Sequence, residues 1–421
     1  MSKLEELIQK LCPKGVEYKP LNNVVKSIST GLNPRKNFTL NIEGATNFYV
    51  TVKEITTGKI VFSDKTDKIT DEALDIIQDR SNLEFGDVLL SGIGTIGKVA
   101  LVDIPIGNWN CSESVFLIKP KNDVITSAFL AHILGSKNVQ KFFQGKARGS
   151  TLKGIRQQDL KQLKIPVPPI EVQEEIVRIL DKFTELSAEL TAELSSRKKQ
   201  YEFYRDELLN FSDRKDIKFL PVSELFEFKN GLNKGKEFFG KGIPIVNFTD
   251  VFKNRWLTKE MLKGRVTLSP AEIERYSAKK GDVFFTRTSE TQEEIGMTSV
   301  LLEDIENCVF SGFVLRARPK TKLLLPKFCS YYFSAAHIRM QIIKNSTFTT
   351  RALTSGPKLS KILVPILSFE EQLRLTTILD NFHSLVTDIS EGLPAEIEAR
   401  QKQYEYYRDK LLTFKEKTIC G

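Results

Sequence analysis

Cysteine and histidine are scarce in this chain, and neither is arranged for chemistry. The five cysteines among 421 residues (Cys12, Cys111, Cys308, Cys329, Cys420) are odd in number and form no CxxC pair, and the three histidines lie far apart. That pattern signals neither a disulfide framework nor a zinc site. No apolar run approaches the roughly 18 residues of a membrane-spanning helix. The opening stretch MSKLEELIQKLCPKG carries Glu5 and Glu6 inside its apolar rhythm and has no signal-peptide core. A cytoplasmic protein with reduced thiols is the expectation. Catalytic signatures are missing as well. There is no GxSxG, no HExxH and no carboxylate cluster with a nuclease lysine. The amino-methyltransferase motif N/D-P-P-Y/F is also absent, because Pro168-Pro169 lacks both its preceding and its following residue. The chain is not expected to be an enzyme on its own.

What is present is length and positive charge. With 41% apolar, 27% charged and 10% aromatic residues, the sequence can fill two or three hydrophobic cores. Its 62 Lys and Arg exceed 53 Asp and Glu by a net +9. The excess is clustered: Lys137, Lys141, Lys146, Arg148, Lys153, Arg156, Lys161 and Lys164 share their stretch with a single acid, Asp159. Clustering of this kind is the footprint of a nucleic-acid surface, or of an ordinary solvated face.

The chain repeats itself. QEEIVRILDKF (Gln173 to Phe183) returns as QLRLTTILDNF (Gln372 to Phe382), and RKKQYEFYRDELLNF (Arg197 to Phe211) returns as RQKQYEYYRDKLLTF (Arg400 to Phe414). A period near 200 residues marks two duplicated domains, not a solenoid. Weaker echoes agree: Phe85 to Leu90 parallels Lys280 to Phe285. The basic stretch also recurs, from His337 to Lys361, with Arg339, Lys344, Arg351, Lys358 and Lys361 and no acid. Its survival at the same place in both copies favours a binding surface over a random basic run.

The repeated segments read as long helices with an apolar seam. In the first copy the seam is Leu180, Phe183, Leu190, Leu194, Tyr201, Tyr204 and Leu208. In the second it is Leu379, Phe382, Val386, Ile389, Leu393, Tyr404, Tyr407 and Leu411. These fall at 3-4 spacing, and two such helices in one chain are expected to pack antiparallel, giving a pseudo-two-fold. Docking of each helix on its own globular domain is the alternative. The copies are offset by 199 residues at Phe183/Phe382 and by 203 at Arg197/Arg400, one added helical turn. Gly392-Leu393-Pro394 in the second copy is a place to kink or restart the helix.

Between the helices, residues 16–165 and 212–364 are rich in β-branched and aromatic residues with Gly, Asn and Pro punctuation. The fold class is α+β: two similar domains separated by the two long helices. The predicted boundaries are 1–165, 166–211, 212–364, 365–416 and a tail, 417–421. Gly92-Ile93-Gly94-Thr95-Ile96-Gly97-Lys98 satisfies two nucleotide-binding patterns, yet Val99 stands where a P-loop needs Ser or Thr. VALVDI then reads as a strand where a phosphate site needs a helix start. A glycine hairpin bringing backbone close to a partner fits better.

The paired helical segments, each following a domain with a GDVL or GDVF motif, resemble the specificity subunits of type I restriction–modification systems, and the likeness covers essentially the whole chain. The resemblance implies two target-recognition domains, each reading one half of a split sequence in double-stranded DNA. It implies that the helices dock two methyltransferase subunits and, through them, restriction subunits. No cofactor is implied on this chain; S-adenosylmethionine, ATP and magnesium belong on the partners. The helices then act as a ruler, since one turn adds about 5.4 Å against about 3.4 Å per base pair. A free-standing DNA-binding or scaffold protein built on the same frame is the alternative.

On that resemblance, the expected DNA contacts in the first domain are Thr30, Asn33, Arg35 and Lys36, then Thr95 and Lys98 of the glycine hairpin, then Arg148, Ser150, Thr151 and Lys153. In the second they are Asn230, Asn233, Lys234 and Lys236, then Arg287, Thr288 and Ser289, then Thr349, Thr350 and Arg351. Basic side chains would hold phosphates and polar ones would read base edges. Arg205, Asp206, Arg408 and Asp409 lie off the seam and are the expected methyltransferase contacts. No residue is expected to be catalytic or to bind metal.

Overall fold

The computed structural model describes residues 2–56, 58–149, 152–387 and 392–417. The chain divides into two compact units, residues 1–191 with 397–421, and residues 192–396. The helical segments expected to stand apart are therefore shared out between the units.

The first unit is built on a four-stranded antiparallel sheet in the order Val25–Thr30, Val115–Pro120, Val88–Ser91, Val99–Leu101. Of its two inner strands, Val88–Ser91 is buried along its whole length. The reason is alternation: Val88 and Leu90 enter one core with Phe129, Ile133 and Ile176, while Leu89 enters a second with Val50, Trp109 and Leu117. The hairpin after Ser91 leads straight into the strand Val99–Leu101, as the run VALVDI predicts. Helices Ser127–Gly135 and Lys137–Lys146, divided at Ser136, cover the sheet.

The second unit repeats this plan with one strand more. Its sheet runs Phe226–Asn230, Val314–Pro319, Val283–Thr286, Thr298–Leu301, Trp256–Leu257, antiparallel except for the last pair. Val283 and Phe285 enter one core, and Phe284 the other. The covering helices are Pro326–Tyr332 and Ala336–Lys344.

The long helices are Ile170–Leu208, Phe369–Thr387 and Leu393–Leu411. The last begins anew with Pro394 in its first turn, where its missing N–H costs nothing. Seam residue Ile389 lies outside the described residues. In the first unit Phe183 stacks on Tyr407 at 5.4 Å, and in the second Tyr204 stacks on Phe382 at 6.0 Å. Other seam positions do something else. Leu180 and Leu379 are fully buried in the cores of their own units beside the covering helices, with Val386 and Tyr201 joining the second core. Leu194 and Leu208 pack against the second core, and Tyr404 and Leu411 against the first. Leu190 and Leu393 are only half-buried. Both packing modes weighed from sequence are thus combined in one stripe, which faces a neighbouring helix at some turns and the α+β domain at others. Among the described residues, no helix is long and apolar enough to cross a membrane.

Candidate nucleic-acid interface

At one end of the first unit's sheet, backbone hydrogen bonds tie the glycine hairpin to the basic segment. Gly92 N–H donates to Ser114 O (2.7 Å), Ile155 N–H to Gly92 O (2.9 Å), and Gly94 N–H to Lys153 O (2.8 Å). Arg148 and Gly154 exchange a pair of bonds at 2.9 and 2.8 Å. Exposed Thr95, Arg148 and Lys153 are thereby brought onto one edge. Ser150 and Thr151 lie outside the described residues.

The glycines have internal causes. A Cβ on Gly92 would sit 2.3 Å from the Phe116 ring, and one on Gly97 (φ +93°) would sit 2.2 Å from the Gln140 amide. Gln140 in turn donates to Gly97 O at 2.8 Å. Close approach to a partner is therefore not what requires Gly92. Lys98 departs from expectation: its ammonium turns inward to Val52 O at 2.8 Å. Thr30 pairs with Phe116 in register, and just beyond it Gly31 passes so close to Cys111 O that a Cβ would overlap it at 1.6 Å. Asn33 donates its amide to Glu113, Arg35 is exposed, and Lys36 lies in the turn Pro34–Asn37.

The second unit builds the same edge from different residues. Arg287 N–H donates to Phe313 O (3.0 Å) and Thr354 N–H to Arg287 O (3.0 Å). Thr288 and Ser289 pair with Leu353 and Ala352, which pair onward with Thr347 and Phe348. Thr349, Thr350 and Arg351 form the exposed turn, closed by Thr349 N–H donating to Arg351 O at 3.3 Å. Ser289 is buried and its hydroxyl faces Glu294 at 3.5 Å, so it does not present itself outward. Asn230, Asn233 and Lys236 are exposed. Lys234 is engaged: it pairs with Glu272 at 2.7 Å and lies 4.4 Å over the Phe238 ring. The lysine, followed by the Ser269 cap, pulls the Glu272 carboxyl down to about 2.

Arg339, part of the recurring basic stretch, is likewise internal. Its guanidinium donates to Gly296 O, Glu293 O and Ile295 O at 2.7–2.9 Å, and burial lowers its pKa to about 10. It does for the second unit's loop what Gln140 does for the first. Exposed apolar side chains at this edge, Phe313, Phe348 and Leu353, are functional candidates that sequence reasoning missed. Their only signal was an aromatic after Ser311-Gly312 and another inside a basic run, where apolar residues are read by default as core.

The expected docking residues have internal partners. Asp206 accepts from Ala336 N–H and Asp409 from Lys137 N–H, both at 2.9 Å, each at the start of a covering helix. There a carboxylate satisfies a free donor and opposes the helix dipole. Arg205 and Arg408 pair with these carboxylates and lie over the rings of Tyr201 and Tyr404. Two residues before each of these arginines, however, Phe203 and Tyr406 are 61% and 62% exposed.

The family model described as the type I restriction modification DNA specificity domain matches this chain twice, over residues 13–197 and 214–399. The chain belongs to the type I restriction–modification DNA specificity family. Among specificity subunits, a putative one from Haemophilus influenzae is 30% identical over 413 residues, covering 95% of this chain and 96% of the relative. The EcoR124I/EcoR124II specificity subunit of Escherichia coli is 33% identical over 279 residues, spanning 60% of this chain and 64% of that subunit. In a solved structure on complex assembly and conformational transition of the type I R-M system, one chain superposes with a TM-score of 0.65 at 18% identity. That match covers 95% of this chain and 98% of the other, and shows the shared fold. Members of the specificity family are non-catalytic components of their systems, and among the described residues no His, Cys, Asp and Glu cluster could hold a metal.

Proposed function

We propose that this specificity subunit reads a bipartite target in double-stranded DNA, one half-site per unit, and docks two methyltransferase subunits and through them restriction subunits. The observation that carries the reading is duplication of the basic hairpin edge. The same backbone ladder at the same end of both sheets presents Arg148 and Lys153 in one unit and Arg287 and Arg351 in the other. Two different side-chain sets on one ladder suit two different half-sites. Phe203 and Tyr406, exposed at matching positions in the two helix copies, suit a partner present twice. S-adenosylmethionine, ATP and magnesium belong to those partners, and the assembly works on cytoplasmic DNA.

Co-expression with the cognate methyltransferase, followed by native mass measurement and methylation mapping, tests the reading. The expected result is two methyltransferase copies per chain and methylation at a split motif. Isolation of the chain alone, binding DNA without a methyltransferase, would instead support a free-standing DNA-binding protein. Replacing Arg148 and Lys153 by Ala is expected to reduce the salt dependence of DNA binding by a slope of about 2, because each phosphate contact releases about one counterion. An unchanged slope would remove this edge from the interface.

A further inference from the structure

Phe313 is 65% exposed, Phe348 51% and Leu353 41%, although large apolar side chains of this domain are otherwise mostly buried. The three share one backbone ladder. Phe313 lies beside Arg287, Arg287 beside Thr354, and the strand Ala352–Leu353 beside Thr347–Phe348. Arg287 and exposed Arg351 flank them, and neither guanidinium has a hydrogen-bond or ion-pair partner among the described residues. Pairing places Phe348 beside Ala352 and Leu353 beside Thr347, so Leu353 faces away from Phe348. Exposed phenyl rings beside unpaired arginines match a polyanion whose surface also offers something apolar. A phenyl ring cannot use the hydrogen-bond code of base edges, and it would strip water from polar edge atoms without replacing their bonds. The apolar feature of the major-groove edge is the thymine 5-methyl group. In the first unit Ser114 stands where the second has Phe313, bonded to Gly92 as Phe313 is to Arg287.

We propose that Phe313 and Phe348 read thymine methyl groups in the half-site of the second unit, with Arg287 and Arg351 on the flanking phosphates. This rests on the DNA-reading function proposed above. The test uses the full chain in complex with its methyltransferase, after its motif has been mapped. Duplexes carrying deoxyuridine in place of each thymine are methylated by the wild type, Phe313→Ser, Phe348→Ser and the fold control Phe313→Leu.

The wild type is expected to lose about tenfold in methylation efficiency at one or two uracil positions, all in one half-site. The serine variants are expected to lose a similar factor on thymine DNA and to stop distinguishing thymine from uracil. Phe313→Leu is expected to keep the discrimination. A half-site pair without thymine, a wild type indifferent to uracil, or serine variants that still discriminate would each overturn the proposal. The wild-type comparison decides even if the serine variants fail to fold. Absence of any split motif would instead defeat the DNA-reading function itself.

Discussion

Where the two units hold the long helices they are near copies; where they carry the hairpins they are not. Gln173 and Gln372 are both fully buried and make the same three bonds. Gln173 accepts from Thr126 N–H and donates to Val124 O and Pro168 O at 2.8–2.9 Å. Gln372 accepts from Leu325 N–H and donates to Leu323 O and Leu367 O at 2.8–3.0 Å. Asp206 and Asp409 cap equivalent helices. At the hairpin edge, by contrast, Gly92 becomes Arg287, Phe116 becomes Leu315 and Ser114 becomes Phe313, while the backbone ladder survives. A frame held constant and an edge left free to vary are what the proposed function, a partner present twice and two unlike half-sites, would require.

The largest expected effect comes from the shared frame. Gln173→Leu leaves three backbone groups, one buried and two part-buried, without their partner, and should lower unfolding stability by about 4 kcal/mol at 1–3 kcal/mol per group. Gln372→Leu should do the same in denaturant titration of the full chain; a tolerant member of the pair would break the equivalence. The edge should behave oppositely. Gly92→Ala drives a Cβ into the Phe116 ring and should cost about 2 kcal/mol. Adding Phe116→Leu, the second unit's pairing, should recover at least about 1 kcal/mol of it in a double-mutant cycle. Additive losses would mean that the two positions do not exchange bulk.

A pH dependence should distinguish the two helix neighbourhoods. His383, near Tyr201 and Trp256 with Arg255 and Asp380 close by, is pushed down to about 4, first by burial and then by Arg255. The unfolded chain binds a proton there near pH 6.5 while the folded chain does not, so its contribution to stability is lost as pH falls from about 6.5 toward 4. His383→Phe should flatten that part of the stability profile, and an unaltered profile would contradict the assignment. The smallest effect is expected from the caps: Asp206→Ala and Asp409→Ala should each cost about 1 kcal/mol in thermal unfolding.

Much of this was legible in the sequence because repetition is a non-local signal that needs no geometry. The duplicated helices, the strand after Gly97 and the two basic stretches all follow from spacing and alternation. The assignments that failed turn on where a long side chain points. Lys98, Arg339 and Asp206 are charged residues that sequence places on a surface, yet each finds a backbone partner inside its unit. Phe313 and Phe348 are the converse, aromatic residues that composition assigns to a core and the chain leaves outside. The glycine hairpin shows a third limit. Its spacing was visible, but its cause, the Phe116 ring on the neighbouring strand, was not.

Deleting Thr191–Leu194, one helical turn, and mapping methylated sites for the complex tests the account most directly. Two unchanged half-sites separated by a spacer shorter by one or two base pairs is the predicted result. An altered half-site sequence, or a spacer that keeps its length, would contradict it.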